Sequence, residues 1–188
     1  SALSAALHIV IYNTCPAKSC TRHHATMIDE LVDAGHTVDL IMARMNTLVA
    51  NAGKHAARHV VIVDFPNMES PWNDKKSIGY MADPFEDKRP WNPFASSYLK
   101  YMDVMEVLCP LVVDSPDVHA LLTSNRYDVG LTTAFDACGH GVLHHYGIRP
   151  VLAFSATPLF YFQIVHGGLP ELPFYENSEQ GELLCCCE

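Results

Sequence analysis

The sequence is short of positive charge: 12 Lys and Arg stand against 21 Asp and Glu, a formal net charge of −9. Without a basic stripe, nucleic acid is excluded as a partner class. Small anions are not, because backbone amides at a helix N-terminus hold them locally. Long apolar runs are also missing, and no uninterrupted stretch reaches the ~18 residues that span a bilayer. The first strand–helix turn lacks G-x-G-x-x-G, so it offers no dinucleotide site. No internal repeat occurs beyond the recurrence of βα units. The seven cysteines are odd in number, at 15, 20, 109, 138 and 185–187. That spacing is no disulfide framework, and it leaves the compartment open. The chain opens on Ser1, and its SALSAA start is compatible with the end of a cleaved signal peptide.

What is present describes a folded protein. Apolar residues at 49% against charged residues at 18% exclude disorder, and 188 residues suit one large domain or a piece of a larger one. The organising stretch is 127–158, YDVGLTTAFDACGHGVLHHYGIRPVLAFSATP. Residues 127–132 form an apolar strand. Residues 139–146 have helical spacing, and Gly147 stands where a left-handed cap belongs. Residues 151–154 are apolar on both faces, as in the central strand of a parallel sheet. A right-handed crossover puts the loop 133–137 at the carboxyl edge of the sheet, where open α/β folds bind ligands.

Upstream, residues 7–12 (LHIVIY) read as the first strand, and 13–21 as a loop in which Pro16 bars helix. Residues 23–36 place Met27, Ile28, Leu31 and Val32 on one helical face, with Gly35 as terminator. Strands follow at 38–42 and 60–63. Residues 65–93 hold five of the twelve prolines and both tryptophans, and read as a long excursion of the kind that lines clefts. Ser96 or Ser97 caps a helix with apolar positions at Tyr98, Tyr101, Met102, Met105, Leu108 and Cys109, ended by Pro110. Ser115-Pro116-Asp117 starts another, buried through Val118, Leu121 and Leu122. After Pro158 the apolar run LFYFQIV is broken by Gly167-Gly168. The fold class is α/β with a mainly parallel, Rossmann-like sheet.

AKSC…LVDAGHTVDLIM, the stretch FDACGHG followed by GIRP and SATP, and GGLPELPFY together resemble the N-terminal domain of the UDP-glycosyltransferases, in particular a divergent, nematode-type, glucuronosyltransferase-like branch. The resemblance implies a GT-B enzyme with two Rossmann-like domains. It assigns 7–175 to the acceptor-side domain and 176–188 to an unstructured or truncated tail. It implies transfer of a sugar from a UDP-sugar to a small lipophilic hydroxyl compound, without metal. The donor half is not in this sequence, so no cofactor is expected on this domain alone. The resemblance further implies the endoplasmic reticulum lumen or membrane, an anchor lying C-terminal to this chain, and possible oligomerisation.

In that family a histidine after the first strand deprotonates the acceptor, and a carboxylate after the fourth strand orients it, a general base partnered by an anion. Sixteen residues before His36 stands Cys20, preceded by Ser19, and the acid's position falls on Thr133. Both members of the pair are replaced. His24 and Asp136 are the candidate catalytic substitutes, each displaced by several ångströms, where ~1 Å is already costly. Ser19, Cys20, Thr133 and Phe135 are the candidate substrate-binding residues. The plainer reading makes His24 a helix-start histidine and Asp136 a loop acid bonding backbone amides. Cys15, Cys20, His23 and His24, and Cys138, His140, His144 and His145, form two clusters without a four-ligand zinc spacing, so no metal site is assigned. A thiol- or metal-dependent enzyme ranks below two other readings: an acceptor-binding domain inactive as it stands, and a non-catalytic lipophile- or partner-binding module on the same scaffold.

Overall fold

The computed structural model describes residues 5–14, 18–45, 56–66, 93–134 and 136–155, the side chains of 18–20 and 93–100 excepted. The chain divides into two units, 1–154 and 155–188, and the fold below is that of the first. The expected excursion at 65–93 and the segment after Pro158 lie almost wholly outside the described residues, as does the boundary at 175.

Five β-branched runs become strands: β1 (His8–Asn13), β2 (Thr37–Arg44), β3 (His59–Asp64), β4 (Val129–Thr133) and β5 (Val151–Phe154). All described pairings are parallel, in the order β3-β2-β1-β4-β5. Helix α1 (Lys18–Asp33) joins β1 to β2, α2 (Pro93–Val113) and α3 (Pro116–Ser124) precede β4, and α4 (Ala137–His145) joins β4 to β5.

Strand alternation sorts the core into two layers. Ile9, Ile11, Val38, Leu40 and Val129 meet Ile28 of α1 on one face of the sheet. Val10, Tyr12 and Ile41 meet Val104, Leu108, Leu121 and Leu143 of α2, α3 and α4 on the other. Burial of residues such as Ile11, Leu40 and Leu108, all fully buried, stabilises by roughly 1.5–3 kcal/mol each. Ser115 caps α3 through its hydroxyl, with Pro116 following, and Gly35 and Gly147 take positive φ after α1 and α4.

Five expectations are corrected. Helix α1 begins at Lys18, not after Thr21, because Pro16 precedes the helix and does not interrupt it. Pro110 does not end α2, which runs to Val113 with Pro110 inside it. The lost amide bond is tolerated near the helix end, where Val112 is fully buried and Asp114 still donates to the Pro110 carbonyl. On the same helix Met102 is exposed and Val104 occupies the core instead. Strand β5 is not central: among the described residues it stands at the sheet's edge, with Leu152 53% exposed, and β1 is the middle strand.

The last correction concerns cysteine. Cys109 of α2 and Cys138 of α4 are disulfide-bonded across 29 residues of sequence. Two helices packed on one face of the sheet bring the pair together, which no local spacing reveals.

At the amino end of the sheet sits a polar hub that the sequence did not announce. Asp39 is fully buried, and its carboxylate takes Arg58 Nη2 at 2.6 Å, Arg58 Nε at 3.0 Å, Tyr127 Oη at 2.8 Å and His8 Nε2 at 2.9 Å. Burial alone would raise its pKa. The hydrogen bonds from Arg58, then Tyr127 and His8, prevail and hold it at about 2. A groove of about 720 Å3 runs beside this hub between β3 and α3, bounded by Arg58, Val61, Asp117 and Leu121.

Candidate functional site at the carboxyl edge

Because β1, β4 and β5 are parallel, Asn13, Thr133 and Phe154 all end on one edge of the sheet. Helix α1 starts there and returns to the opposite edge at Thr37, so Ser19 and Cys20, in its first turn, share that edge. Their side chains lie outside the described residues, as does Phe135.

Asp136 organises the loop after β4. It is the N-cap of α4, accepting Cys138 N–H at 2.8 Å and Gly139 N–H at 3.3 Å on Oδ1. Its other oxygen accepts the hydroxyl of Thr14, which follows β1. The two loops are thus tied by one buried hydrogen bond, with Thr14 and Asp136 both almost inaccessible. Burial pushes the Asp136 carboxyl above the usual aspartate range, and the Thr14 hydroxyl and the Gly139 and Cys138 amides work against it.

Beneath that tie, Gly139 packs so closely on β1 and β4 that a Cβ there would meet Thr132 Oγ1 at 2.2 Å and Tyr12 Cδ1 at 2.5 Å. Tyr12 and Thr132 are fully buried, and among the described residues Tyr12 Oη and Thr132 Oγ1 make no hydrogen bond. Folded proteins satisfy the large majority of such groups, and exceptions gather where function constrains the chain. The Tyr12 phenol is pushed well up by burial, then by Asp136 and Tyr101 nearby.

His24 is also fully buried, its ring 4.5 Å from that of Phe154 in an edge-on contact, while exposed His23 lies 6.0 Å from the same ring. Thr133, 6% exposed, ends β4 opposite Phe154, and its carbonyl accepts the Asp136 amide at 3.2 Å. The structure therefore joins Thr133 and Asp136 on one side of the edge, and sets His24 against β5 on α1. Thr14 and Tyr12 were missed by sequence reasoning. Their only signal was position, at and just beyond the end of the first strand. Among the described residues no group of three or more His, Cys, Asp and Glu is placed to hold a metal.

Residues 13–179 match the family model described as UDP-glucoronosyl and UDP-glucosyl transferase. The chain belongs to this transferase family. The match covers the loop after β1, the Asp136 cap and β5 together. Among solved structures the chain is similar to the calicheamicin glycosyltransferase CalG4, at 15% identity over 97% of this chain and 42% of that one, with a TM-score of 0.47. It is similar to Arabidopsis thaliana UGT89C1 complexed with UDP-L-rhamnose, at 15% identity over 81% of this chain and 34% of that one, TM-score 0.44. It is also similar to the C-terminal domain of a Pyrococcus furiosus hydrogenase, at 12% identity over 80% of this chain and 91% of that domain, TM-score 0.47. A search of curated proteins gives no match. The transferase-family chain thus spans under half the length of CalG4 and of UGT89C1.

Proposed function

We propose that this chain is the acceptor-side domain of a UDP-glycosyltransferase, shaped to hold a small lipophilic hydroxyl compound at the carboxyl edge, and nearly silent in sugar transfer as it stands. The observation that carries this reading is the state of Asp136. Its two oxygens serve two backbone amides and the Thr14 hydroxyl, so it is engaged as a helix cap and tie. A base-orienting anion must instead present a lone pair to an imidazole in the cleft. His24 sits in the core against Phe154, where an acceptor hydroxyl would have to displace packed rings to reach it. With Cys20 and Thr133 at the family's usual pair, neither substitute supplies the missing proton acceptor.

The donor sugar, glucose or glucuronate carried on UDP, belongs in this reading to a second domain, and this domain alone binds no cofactor. The Cys109–Cys138 disulfide supports an oxidising compartment, consistent with the endoplasmic reticulum lumen. No described helix is long and apolar enough to cross a membrane. The second reading, a non-catalytic lipophile-binding module, is favoured by the same engaged Asp136 and buried His24.

Titration of the chain with 4-methylumbelliferone, followed by fluorescence, tests the acceptor assignment. Saturable binding that 1-naphthol displaces, with no binding of UDP-glucose or UDP-glucuronate, is expected. Saturable binding of a UDP-sugar without any phenol binding would place the donor here and sink the reading.

A further inference from the structure

Cys109 lies near the end of α2 and Cys138 in the first turn of α4, and both residues are only partly buried. Cys138 is more than one end of a staple. Its amide donates to Asp136 Oδ1, the next amide, of Gly139, donates to the same oxygen, and Thr14 holds the other oxygen. The covalent link therefore enters the very turn that ties the loop after β4 to the loop after β1. Helix α4 has nine residues, too few to persist in water without anchors. Its first turn is fixed by the disulfide and the Asp136 cap, and Val142 and Leu143 are buried further along the helix. Gly139 is wedged against Thr132 and Tyr12, so the turn must keep its place closely for the cap to form.

We propose that the Cys109–Cys138 disulfide is a redox-controlled clamp on the carboxyl edge. Oxidised, it holds the first turn of α4 and the Thr14–Asp136 tie. Reduced, it releases that turn while the sheet stays folded. A thiolate of the glutathione class attacks one sulfur, forming a mixed disulfide and expelling the other cysteine as thiolate. A second thiol then resolves the mixed disulfide. Two external thiols become one disulfide, and the cysteine pair gains two electrons and two protons. The clamp does not rest on the proposed function.

The test is differential alkylation with peptide mapping, then hydrogen exchange of the full chain with and without dithiothreitol. Cys109 and Cys138 should label only after reduction. The Cys138 and Gly139 amides should then exchange at least about tenfold faster, while β1 amides from Ile9 to Tyr12 keep their protection. Cys109→Ser should show the fast pattern in both conditions; if it does not fold, the reduced wild type carries the test alone. Labelling of the pair before reduction overturns the proposal. So does unchanged exchange at 138 and 139, or acceleration throughout β1, which would make the bond a staple of the whole domain. None of these readouts involves phenol binding, so the clamp and the acceptor reading fail separately.

Discussion

Two glycines two residues apart on α4 should respond to alanine with opposite signs. At Gly139 a Cβ would come within 2.2 Å of Thr132 Oγ1 and 2.5 Å of Tyr12 Cδ1, and both side chains are fully buried. Relief requires moving β1, β4 or a helix turn that a disulfide holds, so the cost falls at or above the upper end of the ~1–3 kcal/mol typical of overpacking. Removing glycine from a helix returns up to ~1 kcal/mol, too little to cancel it. At Gly141 nothing lies within 4 Å of the added methyl, so only the gain of about 0.5–1 kcal/mol remains. A domain of this size shifts by roughly 2–4 °C per kcal/mol. Gly139→Ala should therefore melt about 3–10 °C lower and Gly141→Ala about 1–4 °C higher, by calorimetry without reductant. Adding Thr132→Ala to Gly139→Ala should recover part of the loss, since Oγ1 is the closest atom and, among the described residues, has no hydrogen bond to forfeit. Equal stability of Gly139→Ala and wild type, or the same sign at both glycines, would refute the packing described for the carboxyl edge.

Asp39→Ala should cost about 3 kcal/mol, the low end of the range for breaking a buried pair, because the Arg58 side chain is 40% exposed and regains water. Asp39 is held at about 2, so its contribution is full above the unfolded aspartate value near ~4 and is lost as pH falls through 2; urea melts across that window should show the gap to Asp39→Ala closing. Asp136 has the opposite sign: its pKa is raised, so the folded state retains the proton longer and stability falls as pH climbs above the ordinary aspartate range. Asp136→Asn keeps a capping side chain and removes that dependence, so its stability relative to wild type should improve with rising pH; a constant difference would count against the burial of this acid. Thr14→Val should leave Asp136 Oδ2 without its donor and cost about 1–3 kcal/mol, with Thr14→Ser restoring most of it, as read by chemical denaturation.

Much of this arrangement was legible where a residue's local chemistry and its tertiary role coincide. The β-branched runs became strands, Ser115-Pro116 opened a helix, and Gly35 and Gly147 closed two. Parallel topology alone then predicted which loops share the carboxyl edge. What escaped was set by partners distant in sequence. Pro110 reads as a helix end until the burial of Val112 is known. An apolar VLAF cannot declare whether a sixth strand flanks it. Cys109 and Cys138 pair only because α2 and α4 pack on one face. Asp39 reads as one acid inside a strand, and its side-chain partners His8, Arg58, His59 and Tyr127 come from elsewhere in the chain. Asp136 was legible as a loop acid bonding backbone amides, and what stayed out of reach was its tie to Thr14, which lies 122 residues away.

The proposed function joins an edge that holds an acceptor to a missing proton acceptor. Fusing the chain to an intact donor domain of a family member allows transfer from UDP-glucose or UDP-glucuronate to 1-naphthol to be measured directly. The unmodified fusion should be nearly silent, and Cys20→His with Thr133→Asp should raise turnover by about 10²- to 10⁴-fold, each single change giving less because the two groups act as a unit. An unmodified fusion that already turns over well, and loses that activity on His24→Ala, would contradict the account and make the buried histidine the base.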